Sequence, residues 1–185
     1  IVSLLADSSY IIALLKDEDM ALFDTAGQTI LPAGFGIIRI EDHHIWAFRS
    51  GKWGAYNKQG LPIIAPAWTR YRSMNTDFAE LIDEKGVHHL YSFSQNKIIH
   101  SGMRFYQQFK NKYCKVHNFY DEVGLIDWRG TLVVEDAYQA ITNFGDQTFR
   151  IKDDRGIRMI DRQGNLLNQS YFDFIGSLNS CVALV

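Results

Sequence analysis

Lys52-Trp53-Gly54-Ala55-Tyr56-Asn57-Lys58-Gln59-Gly60, running on into Leu61-Pro62-Ile63-Ile64, decides the fold. Trp53 to Tyr56 places β-prone aromatics at both ends of a run too short for a helix. Asn57-x-x-Gly60 then reads as a turn, because Asn can bond the backbone two residues on and Gly supplies a positive φ. The β-branched pair Ile63-Ile64 starts a second extended run. Strand, turn and strand in so short a stretch make a hairpin.

The same turn recurs along the chain as Asp24-Thr25-Ala26-Gly27, Asp127-Trp128-Arg129-Gly130 and Asp161-Arg162-Gln163-Gly164. Midway between Gly60 and Gly130 stands Gln95, in Ser92-Phe93-Ser94-Gln95-Asn96, so the steps between origins are 33, 35, 35 and 34 residues. With these origins, apolar columns fall into line. Four residues before them stand Phe23, Tyr56, Tyr91, Ile126 and Ile160; three after them stand Ile30, Ile63, Ile98, Val133 and Leu167. Repetition at this period means one supersecondary unit whose apolar face is completed only by its neighbour.

Each repeat reads as a first strand such as Phe78 to Ile82, a polar turn such as Asp83-Glu84-Lys85-Gly86, a second strand, the Asx turn and a short third strand. Apolar residues at every third position follow, as in Tyr138, Ile141 and Phe144, a spacing that suits a short 3₁₀ or single helical turn. The second strand is apolar on both faces and must be covered on both. The expected fold is all-β: one domain over 1–185, a tandem array of three-stranded repeats of about 35 residues, each with a short helical or 3₁₀ turn. The expected repeats are a partial one at 1–19, then 20–51, 52–86, 87–122, 123–156 and 157–185. A solenoid-like array and a closed propeller-like ring bury the same columns. Ile12 to Leu15 and Ser180 to Val185 both read as first strands, so the chain starts and stops within a repeat, and Ile1 reads as a truncated N-terminus.

The 185 residues are 46% hydrophobic and 22% charged, and 14% are aromatic. A formal net charge of −2 provides no basic stripe for phosphate, which argues against a nucleic-acid partner. The longest apolar run, Tyr10 to Leu15, is far short of the ~20 residues that a membrane-spanning helix needs.

The segment Lys52-Trp53-Gly54-Ala55-Tyr56-Asn57-Lys58-Gln59-Gly60, with Ile63-Ile64-Ala65-Pro66 and Trp68 after it, resembles the bacterial WG (KWG) repeat family. The likeness extends as five degenerate repeats over most of the chain, although only the repeat at 52–86 carries the Trp-Gly pair, and Val123-Gly124, His88-His89 and Ile157-Arg158 stand in its place in other repeats. The resemblance implies an all-β repeat with a binding role in a bacterial protein, and carries over no active site.

His43-His44 and His88-His89 are adjacent pairs, and neighbouring strand residues point to opposite faces, so they do not converge as metal ligands. Cys114 and Cys181 fall in repeats too far apart for a disulfide and read as buried thiols, a lean toward a reducing, cytoplasmic compartment. The acidic pairs Glu41-Asp42, Asp121-Glu122 and Asp153-Asp154 fall in turns, where solvated carboxylates are the ordinary occupants. No nucleophile elbow, phosphate loop or dinucleotide fingerprint occurs. The reading is a non-enzyme with neither metal nor cofactor.

A repeat protein shows its individuality where a repeat departs from its siblings. Two repeats place aromatics at the tip of the Asx turn, Phe93 and Trp128, and these are expected on one edge. His117-Asn118-Phe119-Tyr120-Asp121-Glu122 replaces a polar first turn and offers Phe119 and Tyr120 as a second surface. Arg70, Arg72 and Arg104 could rim an acidic ligand. Exposed aromatics and arginines are the usual anchors of a protein interface. The expected function is protein binding through an extended β-surface, in its narrower form as an immunity or adaptor protein for a secreted toxin. Carbohydrate or envelope-polymer binding on the aromatic platforms is the second reading.

Overall fold

The structure is a computed structural model that describes residues 3–6, 9–15, 17–41, 43–107, 112–144, 148–178 and 181–184. Asp42, Ser180 and Val185 lie outside the described residues, as does the side chain of Cys181. The chain divides into two compact units. Residues Ile1–Gly86 with Tyr91–Lys97 form the first, and Val87–Leu90 with Ile98–Val185 form the second.

The first unit opens with β1 (Ser3–Ala6), β2 (Tyr10–Leu14), β3 (Met20–Asp24) and β4 (Thr29–Phe35), an antiparallel meander in that order. A second meander follows from β5 (Ile37–Ile40), β6 (Ile45–Arg49), β7 (Lys52–Tyr56) and β8 (Pro62–Trp68). The hairpin of β9 (Arg70–Ser73) and β10 (Phe78–Ile82) follows, with Arg72 opposite Glu80. The chain passes between the units along β11 (His88–Ser92) and β12 (Lys97–Met103). The second unit contains the meander β13 (Phe105–Tyr106), β14 (Tyr113–His117), β15 (Val123–Asp127) and β16 (Leu132–Tyr138). Then come β17 (Ala140–Phe144), β18 (Thr148–Asp153) and β19 (Gly156–Asp161), and last the hairpin of β20 (Ile175–Leu178) and β21 (Cys181–Leu184).

The expected helical turn is absent among the described residues, and a strand takes its place. Single-residue bends at Gly36 and Gln139 end one sheet and begin the next. On β17, Ile141 joins a cluster with Leu125, Phe149 and Ile151, while Phe144 joins another with Met159 and Ile175. The three-residue spacing therefore reports two faces of one strand, each buried in a different core, and not one face of a helix. The repeat is four-stranded.

Within each unit the sheets pack face to face. Tyr10, Leu22, Leu31 and Phe35 of the first meander meet Ile38, Ile45, Ala47 and Tyr56 of the second. The opposite face of the second meander, with Trp46, Trp53, Ala55 and Ile64, is buried against Ala79, Leu81 and Tyr91. Trp53 and Ala55 thus point one way from β7 and Tyr56 the other, which is why this strand is apolar on both faces. Each large side chain so buried contributes roughly 1.5–3 kcal/mol. Ring packing adds to this, as in the edge-to-face pair Phe35–Tyr56 with centroids 5.7 Å apart.

The outer strands β4, β8 and β16 share one irregularity. Trp53 pairs with Trp68 and Ala55 with Ile64; Val123 pairs with Tyr138 and Leu125 with Val134, so each outer strand bulges over the residue between. Those residues are Gly54 and Gly124. A Cβ on Gly54 would lie 2.8 Å from the Ile64 carbonyl oxygen, and one on Gly124 2.9 Å from the Asp136 Cα. The bulge, and not the turn, is what excludes a side chain there. The first meander holds Ala21 at the matching place, between Met20–Phe35 and Leu22–Leu31, so a methyl group is accommodated under that bulge. Gly124→Ala is expected to destabilise the fold by about 1–3 kcal/mol through overpacking, and Ala21→Gly by at most about 1 kcal/mol. Urea unfolding of the three proteins measures both.

Candidate functional site

The Asx turns form as their sequence dictates. Asp127 Oδ1 accepts the N–H groups of Arg129 (2.9 Å) and Thr131 (2.8 Å), and Asn57 Oδ1 those of Gln59 (3.0 Å) and Leu61 (2.9 Å). Asp24 and Asp161 do the same. These side chains are spent on holding turns. Asp153 accepts the Arg155 N–H at 2.9 Å and pairs with the Arg155 and Arg158 guanidiniums, and Asp121 pairs with Arg104. Asp153 is thus tied into its own hairpin, Asp121 to Arg104 ahead of β13, and Glu41 to the Tyr71 hydroxyl on β9.

The left-handed residue of the turn after β11 is Asn96 (φ 51°), not Gln95. Its N–H donates to the Phe93 carbonyl as that of Gly60 does to Asn57. The turn therefore starts at Phe93, which corrects its expected place at an exposed tip. Phe93 is half-buried in the first unit, stacked on His44 with centroids 3.6 Å apart and edge-on to Tyr91 and Trp46. It is a packing residue.

Trp128 does occupy a turn tip, in the second unit, where it is 39% exposed with the Arg129 guanidinium 4.7 Å over its ring. Arg72 Nε pairs with the buried carboxylate of Glu80 at 2.6 Å, so its charge is committed to the β9–β10 hairpin. Arg70 is exposed at the start of β9. Arg104, by contrast, belongs with Phe119 and Tyr120.

Those three converge on the β14–β15 turn of the second unit, where Phe119 is 60% and Tyr120 87% exposed. The turn is tightly held. Asn118 Oδ1 accepts the N–H groups of Tyr120 (2.8 Å) and Glu122 (3.0 Å). Its Nδ2 donates to Glu122 Oε2 (2.8 Å) and to the Asp136 carbonyl on β16 (2.9 Å). Asp121 takes the left-handed conformation (φ 63°), and its carboxylate pairs with the Arg104 guanidinium. The Arg104 N–H donates to the His117 carbonyl at 2.8 Å. Two large apolar side chains are thereby presented on a fixed backbone, ringed by Arg104, Asp121 and Glu122.

Asn118 is the organiser that the sequence reading passed over. Its signal was present: Asn118-x-x-Asp121 has the form of the Asx turn with Asp in place of Gly, a residue that tolerates positive φ better than most. Behind the tip, the His117 ring stacks on Phe105 with centroids 4.1 Å apart, and its Nε2 is 2.9 Å from Gln107 Nε2. Burial, then the Lys115 charge, push its pKa below the ordinary value; Asp121 opposes them.

No family model and no curated protein matches the sequence. Among solved structures, the chain is similar to the computationally designed Ika8 protein at 12% identity and a TM-score of 0.38, over 97% of this chain and 66% of that one. It is similar to the C-terminal WD40 domain of Sif2 at 13% identity and a TM-score of 0.38, over 94% and 58%. The WD40 β-propeller domain of Doa1 gives 10% identity and a TM-score of 0.36, over 98% and 73%. The chain thus spans 66% and 58% of the length of the first two.

Asn118→Ala removes four hydrogen bonds and is expected to cost about 1–3 kcal/mol, with faster amide exchange at Tyr120 and Glu122. Exchange measured by NMR checks this. His117 is expected to titrate below 6.5 in the folded chain. Its folded pKa is depressed, so its contribution to stability is present above the unfolded value and is lost as the pH falls through the folded one. An NMR titration of the ring protons, with unfolding midpoints on either side of 6.5, reads both.

Proposed function

We propose that this chain is a non-catalytic protein-binding module whose anchors are Phe119 and Tyr120. The observation that carries the reading is their exposure on a turn that Asn118 holds with four hydrogen bonds. Folding gains nothing from leaving two adjacent aromatics in water, whereas an interface gains from anchors that are already ordered before the partner arrives. The rim supports the same reading: Arg104, Asp121 and Glu122 surround the apolar centre with charge, the usual anatomy of a protein contact. Neutralising a toxin, as an immunity or adaptor protein does, is the narrower form of this proposal.

The test is crosslinking and affinity capture from a native lysate with the wild-type chain and the doubly substituted Phe119→Ser/Tyr120→Ser chain. Any partner held by the tip is expected to bind the double variant at least about 30-fold more weakly, the equivalent of roughly 2 kcal/mol. Equal capture by both chains overturns the assignment of the tip. Retention of a glycan in place of a protein, lost in the double variant, replaces the partner class with carbohydrate.

A further inference from the structure

Among the described residues, the outer strands β4, β8, β12 and β16 each end a four-stranded sheet with a single sheet neighbour. Such an edge presents main-chain donors and acceptors that another strand can take up, and proteins blunt it with proline, charge or bulges. All three prolines of the chain lie in two of these strands: Pro32 in β4, Pro62 and Pro66 in β8. β12, Lys97 to Met103, and β16, Leu132 to Tyr138, have none; β12 carries Lys97 and no carboxylate, whereas β16 carries Glu135 and Asp136.

The strands β8 and β16 can be compared residue by residue, because they pair in the same register. Tyr56 faces Pro62 as Ile126 faces Leu132, and Trp53 faces Trp68 as Val123 faces Tyr138. Pro62 thus matches Leu132, and Pro66 matches Asp136. A ladder that accommodates proline at these places does not need their N–H groups, so in β16 those amides are surplus to the pairing with β15.

Chemistry along β16 distinguishes it further. Leu132, Glu135 and Ala137 are exposed, and Asp136 follows Glu135 directly. The carbonyl of Asp136 accepts the Asn118 amide, which joins this half of the strand to the turn that bears Phe119 and Tyr120. Asp121 and Glu122 lie on that turn, and of the local carboxylates Asp121 is the one paired with Arg104. Glu122 of that turn and Glu135 and Asp136 of β16 add three further carboxylates, and β16 itself carries no basic residue.

We propose that the free edge of β16 takes up an extended segment of a basic protein partner as a fifth strand. Main-chain hydrogen bonds to β16 supply the affinity, lysine or arginine side chains lie beside Glu135 and Asp136, and an apolar residue of the segment reaches Phe119 and Tyr120. For the class of partner this rests on the function proposed above; the edge itself is argued independently of the tip.

The experiment uses the full chain and a blocked octapeptide of alternating lysine and valine as probe. Its controls are the glutamate–valine octapeptide and the lysine–valine peptide N-methylated at alternate residues. The lysine–valine peptide is expected to slow exchange of the 132–138 amides at least tenfold, and each control to bind at least tenfold more weakly. Leu132→Pro, which copies Pro62, is expected to lose the peptide at least tenfold, while Leu132→Ala keeps it. Absence of slowed exchange in β16, or equal binding of the N-methylated peptide, overturns the proposal whether or not Leu132→Pro folds. Equal binding of the glutamate–valine peptide overturns the basic partner. Loss in Phe119→Ser/Tyr120→Ser but not in Leu132→Pro sinks the edge and leaves the tip standing. The converse result supports the edge and removes the tip.

Discussion

A carbonyl oxygen of one sheet lies against the turn backbone of the next, with no room for a side chain between them. A Cβ on Gly130 would stand 2.2 Å from the Ile99 oxygen, and the residue holds φ at +85° besides. Gly60 meets Ile30 and Gly164 meets Val133 in the same way. The contact repeats wherever two neighbouring sheets of a unit meet at this turn, and it fixes how closely they approach. Face-to-face burial of Leu22 against Tyr56, or of Leu125 against Ile151, follows from that approach. Hydrophobic area provides most of the free energy, but it is not directional; the backbone contact sets the spacing at which that area can be covered.

Much of this was legible in the residues. Asn57-x-x-Gly60 and its siblings mark their turns because a carboxylate or amide acceptor and a positive φ are both needed within four residues, and few residue types supply them. The two-faced burial of the strand before each turn was equally plain, since Trp53, Ala55 and Tyr56 leave no polar face. The four-strand repeat was not. Tyr138, Ile141 and Phe144 look like a helical stripe, and only the bend at Gln139 turns them into strand residues serving different cores. A one-residue bend leaves no mark in composition.

The displaced register at Asn96 shows a second limit. Here the turn has lost its Asx side chain, and the acceptor comes from far along the chain: Asp77 Oδ1 receives the Ser94 N–H at 2.7 Å, and its carbonyl receives that of Phe93 at 2.7 Å. A long-range substitute cannot be read from local spacing. Local spacing therefore points Phe93 to a tip, whereas it belongs to the packing around Trp46 and His44. Phe119 and Tyr120 escaped this error because their turn is closed by its own Asn118, so local sequence and local structure agree.

The two kinds of departure from the repeat have different physical meanings. Where a repeat changes and the new side chain is buried, as with Phe93, the change is absorbed by packing. At the β14–β15 turn nothing absorbs it: the backbone is ordered by bonds that use Asn118, while the aromatics it displays take no part in that ordering. The edge strands divide along the same line. Proline in β4 and β8 removes donors that would otherwise invite a neighbour, at no cost to ladders that do not use them. β16 keeps its donors and adds carboxylates beside them, which discourages copies of itself while leaving it open to an oppositely charged strand. Order is thus maintained on both sides of the contrast, and what differs is whether the ordered surface has been closed.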